Sequence, residues 1–195
     1  MKKLTILFVA VLLMQSFGYA ADSNKSVSIR PALLIIDIQN RYLPWMDESE
    51  RDMALQYING GIQLFRQRHL PIIRIYHTDP DYGPHPDSLA FRFPESVLIR
   101  NSDPMIIKNH PSAFKNTGLD SLLKSMECNT LFLSGLSSVG CVLATYFGAL
   151  DHDYKAFMFK DAIMSHNAAY TGYVEEITDT VPWTAIELML DSAKK

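Results

Sequence analysis

Leu131-Phe-Leu-Ser-Gly-Leu-Ser-Ser-Val-Gly-Cys-Val-Leu-Ala-Thr-Tyr146 is the stretch on which the reading of this chain turns. Leu131 to Leu133 is a short apolar run, and Ser134 to Gly140 is small, polar and glycine-bearing. From Cys141 a second apolar run continues to Leu150 at helical length. A buried strand, a tight turn and a helix are written in this order. Cys141 falls at the first turn of that helix. Unpaired backbone N–H groups and the helix dipole favour an anion there, so its thiol is expected to ionise more readily than a free one.

The same alternation repeats on both sides. Ala32 to Ile36 is continuously apolar, the habit of a strand buried on both faces of a parallel sheet, and it stops at Asp37. Glu48 to Arg68 has apolar residues near a 3.6 period and reads as a helix, although Gly60-Gly61 interrupts its middle. Pro71 to Tyr76 is a second strand, ending at His77-Thr78-Asp79. Met105 to Lys108 is a third, Thr130 to Ser134 a fourth and Tyr154 to Phe159 a fifth, with a short sixth near Val181. Leu119 to Met126, Val142 to Leu150, Asn167 to Asp179 and Thr184 to Ser192 read as helices. Residues 79 to 104 carry five prolines and no periodic pattern; a loop of that length suggests a lid or pocket wall. Strands alternating with helices at this spacing mean βαβ units, and hence a mostly parallel sheet between two helix layers.

In such sheets ligands sit beyond the carboxyl ends of the strands. Asp37, Lys108 and the turn before Cys141 all fall there. Their chemistry fits together. A thiolate attacks carbonyl carbon but needs help to form at neutral pH. Lys108 would favour the thiolate, and Asp37 could take the thiol proton and later activate water. Backbone N–H groups of the Ser137–Cys141 turn could hold an oxyanion. Tyr42, Trp45, Tyr76 and Phe91, together with His77, could line a pocket for a planar substrate. Two rivals are a serine nucleophile and a Cys–His dyad using His166 or His77. The serine elbow needs Gly-x-Ser-x-Gly, and Gly135 to Gly140 has one residue too many.

The ends and the composition bound the rest. Lys2 and Lys3, the apolar run Leu4 to Met14, and small residues at Gly18 and Ala20 read as a secretory signal peptide over residues 1–20. Its removal leaves 175 residues and moves the formal net charge from −3 to −5. That length suits one domain with a full core. The mild acidity leaves no electrostatic footprint for nucleic acid, and no later run is apolar and long enough for a membrane. Residues 21–30 read as a loose mature N-terminus, and residues 31–195 as the domain. Export would permit a disulfide. A strand separates Cys128 from Cys141, however, and carries their Cα atoms beyond the reach of about 7 Å that one needs, so two free thiols are expected.

The segments Leu34-Ile-Ile-Asp-Ile-Gln-Asn40, Ile107-Lys-Asn-His-Pro-Ser-Ala-Phe114 with Thr117 and Leu119, and Gly135-Leu-Ser-Ser-Val-Gly-Cys-Val142 resemble the three signature regions of the isochorismatase-like cysteine hydrolases. The resemblance runs from about Pro31 to Ala162, where Lys160-Asp-Ala162 echoes a strand-end Asp-Ala. It implies a three-layer α/β/α sandwich around a six-stranded, mostly parallel, Rossmann-like sheet. It implies an Asp37–Lys108–Cys141 triad. It also implies a non-proline cis peptide at Leu136–Ser137, aiming the N–H of Ser137, with that of Cys141, at the oxyanion.

Gly140 departs from the family, which usually has a bulky or polar residue before the cysteine. His77, Asp79 and His85 do not reproduce the metal-ligand spacing of the family's nicotinamidases, so neither metal nor cofactor is expected. Members named for isochorismate cleavage can lack the cysteine, and its presence favours C–N hydrolysis. The expectation is a secreted or periplasmic amidohydrolase acting on a small molecule. Vinyl-ether hydrolysis, or a non-catalytic secreted binding module, is the alternative. Because several family members are oligomers, a homo-oligomer is expected, with no nucleic-acid partner and no membrane contact once the signal is cleaved.

Overall fold

The computed structural model describes residues 28–193. The signal peptide expected over residues 1–20, and most of the loose N-terminus, lie outside the described residues. Among the described residues, no helix is long and apolar enough to cross a membrane.

Six parallel strands form one sheet: β1 (Pro31–Ile36), β2 (Ile72–His77), β3 (Met105–Lys108), β4 (Thr130–Leu136), β5 (Lys155–Met164) and β6 (Thr180–Val181), in the order β3-β2-β1-β4-β5-β6. Five helices cover it: α1 (Glu48–Gln67), α2 (Leu119–Ser125), α3 (Leu143–Asp151), α4 (Ala168–Ile177) and α5 (Trp183–Ser192). The continuous apolar runs of β1 and β4 reflect burial on both faces. Leu33 and Ile35 face one core with Ile58, Ile62 and Phe65 of α1 and Ile186 and Leu190 of α5. Leu34 and Ile36 face the other with Leu119 and Leu123 of α2, Tyr146 and Ala149 of α3, and Val174 of α4. This is the expected three-layer α/β/α sandwich. The strand order reverses direction between β1 and β4, and that crevice is the binding position of a doubly wound sheet.

Two details differ from the sequence reading. The glycine pair does not break α1. A Cβ on Gly61 would stand 2.6 Å from the Phe159 ring, and one on Gly60 2.9 Å from Trp183, so both glycines let the helix press against β5 and α5. The fifth strand does not stop at Phe159. Leu133 pairs with Met158 but Gly135 pairs with Ile163, so β5 carries three extra residues at a bulge and then resumes. The polar pair Lys160-Asp161 looks like a strand end, but Glu175 of α4 satisfies it. One Glu175 oxygen accepts from Lys160 Nζ at 2.8 Å and the other from the Asp161 N–H at 3.1 Å.

The long segment 78–104 has no regular element, but it is anchored. Phe91 and Phe93 stack on Tyr76 at ring distances of 4.8 and 4.2 Å, and both are buried. Its backbone holds the chain after β1: the N–H groups of Asn40 and Arg41 donate to the carbonyls of Arg92 and Ala90 at 2.9 Å each. Only its first part, around Asp79, Tyr82 and Gly83, reaches the cavity described next.

Candidate active site

Four neighbouring structures deliver four side chains to one point. Asp37 follows the last residue of β1, with φ 55°, a left-handed turn that aspartate tolerates. His77 and Lys108 end β2 and β3 and are direct register partners. Cys141 stands in the short segment Ser138–Val142 between β4 and α3, which is kinked at Gly140 (φ −119°, ψ −106°). Parallel pairing puts the carboxyl ends of these strands on the same edge, which is why residues 37, 77, 108 and 141 converge.

The convergence centres on the Lys108 ammonium. It donates to Asp37 Oδ2 at 2.7 Å, to His77 Nδ1 at 3.1 Å and to Cys141 Sγ at 3.2 Å. An ammonium has three protons, and all three are used. The lysine side chain is fully buried, so this saturation is what makes its charge tolerable. The ligand-type atoms of Asp37, His77 and Cys141 lie within 4.8 Å of one another, the spacing of a metal cradle. The ammonium bonds all three, and so already fills the cation's place. Asp79 and His85 join no such cluster among the described residues. His85 points to solvent, with its side chain 77% exposed.

Protonation states follow. Burial lowers the basicity of His77, and the adjacent ammonium lowers it further, so the imidazole is neutral. Its Nδ1 accepts from Lys108, so its proton sits on Nε2. Burial raises the Asp37 carboxyl above its ordinary value, and the Lys108 charge opposes that rise. Asp37 Oδ1 has no hydrogen-bond partner among the described residues. Burial, reinforced by the negative Asp37, pushes the Cys141 thiol up to about 12, against the pull of Lys108.

The last point corrects the expectation from the helix start. A helix terminus contributes about 0.3–1 kcal/mol, less than a tenfold change in acidity, and burial beside a carboxylate outweighs it. The resting group is a thiol beside a carboxylate, not a free thiolate.

A cavity of about 440 Å³ opens above these residues, lined by Asp37, His77 and Cys141 together with Tyr42, Trp45, Leu136 and Ser137. Of the expected pocket residues, Tyr42, Trp45 and His77 are in its wall. Phe91 is not, and neither is Tyr76: their rings stack on each other in the core, where an apolar ring finds more contact than at a cavity mouth. The peptide Leu136–Ser137 is cis, and Ser137 and Cys141 both line the cavity. Of the two histidines of the dyad rival, His166 is exposed and packs edge-on to Tyr170, whereas His77 lies beside Cys141 with its Nδ1 taken by Lys108. Cys128 and Cys141 are free thiols, and Cys128 is buried.

Neither Gln39, although it lies in the segment Leu34–Asn40, nor Thr145 was assigned a role from the sequence. Gln39 is fully buried and clasps His77 through the backbone, accepting its N–H at 2.8 Å and donating to its carbonyl at 3.0 Å. Thr145 donates to the Cys141 carbonyl at 2.7 Å and accepts the Ala113 N–H at 3.0 Å, linking the Cys141 turn to the segment after Lys108. The place of Gln39 two positions after a strand-end acid, inside a signature segment, was the available signal for it. Thr145, inside an apolar helix run, left none.

His77→Leu should leave the buried ammonium one acceptor short and reduce unfolding free energy by about 1–3 kcal/mol. His77→Asn keeps an acceptor near the Nδ1 position and should restore most of it. Urea unfolding of the two variants is the measurement; equal losses in both would show that the imidazole matters only as packing.

Comparison with known proteins agrees with the geometry. Residues 31–179 match the family model described as "Isochorismatase domain". An uncharacterised isochorismatase family protein of Bacillus subtilis, YddQ, is 31% identical over 136 residues, covering 67% of this chain and 76% of its own length. A maleamate amidohydrolase of Pseudomonas putida is 28% identical over 71 residues, 36% of this chain and 33% of that one. Among solved structures, an N-carbamoylsarcosine amidase from Thermoplasma acidophilum superposes with a TM-score of 0.68 at 22% identity, covering 79% and 95% of the two chains, a likeness of fold.

Proposed function

This chain belongs to the isochorismatase family of hydrolases, and from that premise we propose that it is a cysteine hydrolase cleaving an amide-type C–N bond of a small molecule. The observation that carries this reading is the saturated, buried Lys108 ammonium, bonded to three residues that line the cavity, Asp37, His77 and Cys141. A carboxylate with one free buried oxygen and a thiol within a few ångströms suit a proton transfer that only a bound electrophile makes worthwhile.

In the proposed course the Cys141 proton passes to Asp37 as sulfur attacks the amide carbon. Lys108 stabilises the charge on sulfur. The carbonyl oxygen becomes an oxyanion, held by the backbone N–H groups of Ser137 and Cys141. The C–N bond breaks as the proton held by Asp37 goes to the leaving nitrogen, which departs as ammonia or an amine. Asp37 then takes a proton from water as that water attacks the thioester. The acid leaves, and the proton returns to sulfur. The names of the Pseudomonas and Thermoplasma proteins, both amide hydrolases, support the C–N assignment over vinyl-ether cleavage. A binding module would have no use for a thiol kept next to a base.

Export through residues 1–20 and assembly into a homo-oligomer are part of the same proposal. The first rests on the sequence pattern. Support for the second is the set of apolar side chains exposed on α3 and α4, among them Phe147, Leu150, Tyr173 and Ile177.

Purified mature protein supplied with a panel of small primary amides should release ammonia, and Cys141→Ser should not. Equal release by both proteins would sink the cysteine mechanism. No release across the panel, combined with hydrolysis of a vinyl ether, would move the reading to the alternative.

A further inference from the structure

Ser138, Ser165 and Thr171 are buried hydroxyls that the proposed chemistry leaves idle, and they are joined to one another. Ser138 Oγ stands 3.2 Å from Thr171 Oγ1 of α4, and Thr171 Oγ1 stands 2.9 Å from Glu50 Oε2 in the first turn of α1. Each hydroxyl has one proton, so the direction of the chain can be worked out. Ser165 gives its proton to the Asn167 carbonyl at 2.7 Å. A carboxylate only accepts, so the Thr171 proton goes to Glu50. Ser138 is then the donor to Thr171, and the chain runs from Ser138 through Thr171 to Glu50. A charged acceptor at its far end strengthens both bonds.

The chain starts in the turn that carries the proposed oxyanion donors. The Ser137 carbonyl accepts the N–H groups of Gly140 and Val142 at 2.9 and 3.2 Å, which closes the turn on itself. These bonds shape the turn but do not tie it to the helix layers. Of the side chains of Ser137, Ser138 and Val139, only that of Ser138 makes a hydrogen bond among the described residues. Val139 is exposed, and Gly140 has no side chain to pack. Ser138 is fully buried. Its bond to Thr171 is therefore the anchor that fixes the start of the turn against α4, and through Glu50 against α1.

We propose that Ser138 and Thr171 are positioning residues, which hold the Ser137–Cys141 turn with the N–H groups of Ser137 and Cys141 aimed at the oxyanion. Neither side chain lines the cavity, so both act through the backbone and not on the substrate. This rests on the reading above for the two oxyanion donors, but it does not require that an amide be turned over. Its signature is selective: a step that forms an oxyanion should depend on the chain, and a step at the same sulfur that forms none should not.

Two reagents make that separation. p-Nitrophenyl acetate acylates the Cys141 sulfur through a tetrahedral oxyanion; nitrophenolate leaves and an acetyl thioester remains. Iodoacetamide alkylates the same sulfur by displacing iodide, with no oxyanion. Cys141→Ala protein, which keeps Cys128, is the blank for both. Thr171→Val and Ser138→Ala should slow acylation by about 10–100-fold, the effect of a donor displaced by up to about 1 Å. Alkylation should stay within about twofold, because Asp37 and Lys108 set the acidity of the thiol. Thr171→Ser keeps the hydroxyl and should recover most of the acylation rate. Ser138→Ala leaves Thr171 bonded to Glu50, so it reads the turn where Thr171→Val lowers the folded yield. Equal slowing with both reagents, acylation at the wild-type rate, or no recovery in Thr171→Ser would overturn the proposal. So would a wild type whose acylation, relative to alkylation, is no faster than that of free cysteine, since there would be no oxyanion site to position. Acylation that falls as expected in a protein releasing ammonia from no amide would leave the positioning chain standing and remove the amide reading. Ammonia release with acylation unmoved by either variant would do the reverse.

Discussion

Asp37→Asn should abolish most turnover while making the nucleophile more acidic. The carboxylate is the proposed acceptor of the thiol proton, and asparagine has the same shape without the basicity, so a loss of about 10²–10⁴ in kcat/KM is expected. The same carboxylate is also one of the two main reasons that the Cys141 thiol is pushed up to about 12. With its charge gone, the pH midpoint for alkylation of Cys141 by iodoacetamide should fall.

Lys108→Met should also stop turnover but move that midpoint the other way, because Lys108 is what pulls the thiol down. Two inactive variants with opposite shifts in thiol acidity would be hard to explain by damage to the fold alone. If Asp37→Asn retained activity, or if alkylation of both variants followed the wild-type pH curve, the base assignment would fail. The pH profile of the wild type carries the same sign. Activity needs the Asp37 carboxylate ionised, and burial raises its pKa. Activity should therefore be lost as pH falls through a value above the ordinary aspartate range, and no gain should appear near the pH where ordinary thiols ionise.

The largest effect on stability should come from a single methyl group at Gly135. This residue sits in the central strand β4 with φ 116°, a conformation that side-chain-bearing residues rarely adopt. A Cβ there would stand 2.0 Å from the Ile36 carbonyl oxygen and 2.8 Å from the Ile36 nitrogen. Neither neighbour can yield, because both belong to the backbone of β1, the strand paired with β4 at Ile36 and Gly135.

Gly135→Ala combines a strained dihedral, about 1–3 kcal/mol, with overpacking against a fixed backbone, about 1–3 kcal/mol more. Ordinary domains have only about 5–15 kcal/mol in hand, so a large share of the protein's stability should go, read as a marked fall in the urea midpoint or in soluble yield. Gly172→Ala is the internal contrast. Gly172 lies in α4 with nothing within 4 Å of its would-be Cβ. Alanine there should raise stability by up to about 1 kcal/mol, the helix-propensity difference. Comparable midpoints for the two variants would mean that β4 and β1 can separate at this point, contrary to the packing.

Legibility in the sequence was uneven for identifiable reasons. Burial on both faces leaves an unbroken apolar run, so β1 and β4 could be read directly. A polar residue that ends such a run marks a strand's carboxyl end, so the sequence alone places Asp37 and Lys108 on one edge. Where a polar residue is satisfied by a distant partner the same rule misleads. Lys160-Asp161 looked like the end of β5 and is a bulge, because Glu175 of α4 pairs with it. Phe91 looked like a pocket ring and is a core ring, because Tyr76 lies beneath it.

What the sequence alone determined, then, is the order of strands and helices, the family, and that Asp37, Lys108 and Cys141 fall at one edge of the sheet. These depend on local patterns: the period of the side chains, the turn residues, and the motifs that carry the resemblance. Only the tertiary structure decided how those groups behave. His77 becomes the third acceptor for Lys108 because β2 and β3 pair in a register that sets the two residues side by side. The Cys141 thiol ends up harder to ionise, not easier, because it is buried near Asp37, a residue far away in the chain. Ser138 is tied to α4 and α1 through Thr171 and Glu50, which lie far from it in the chain. Protonation and positioning depend on distances between atoms and on exclusion of water. Those distances exist only once segments remote in sequence have been folded against one another.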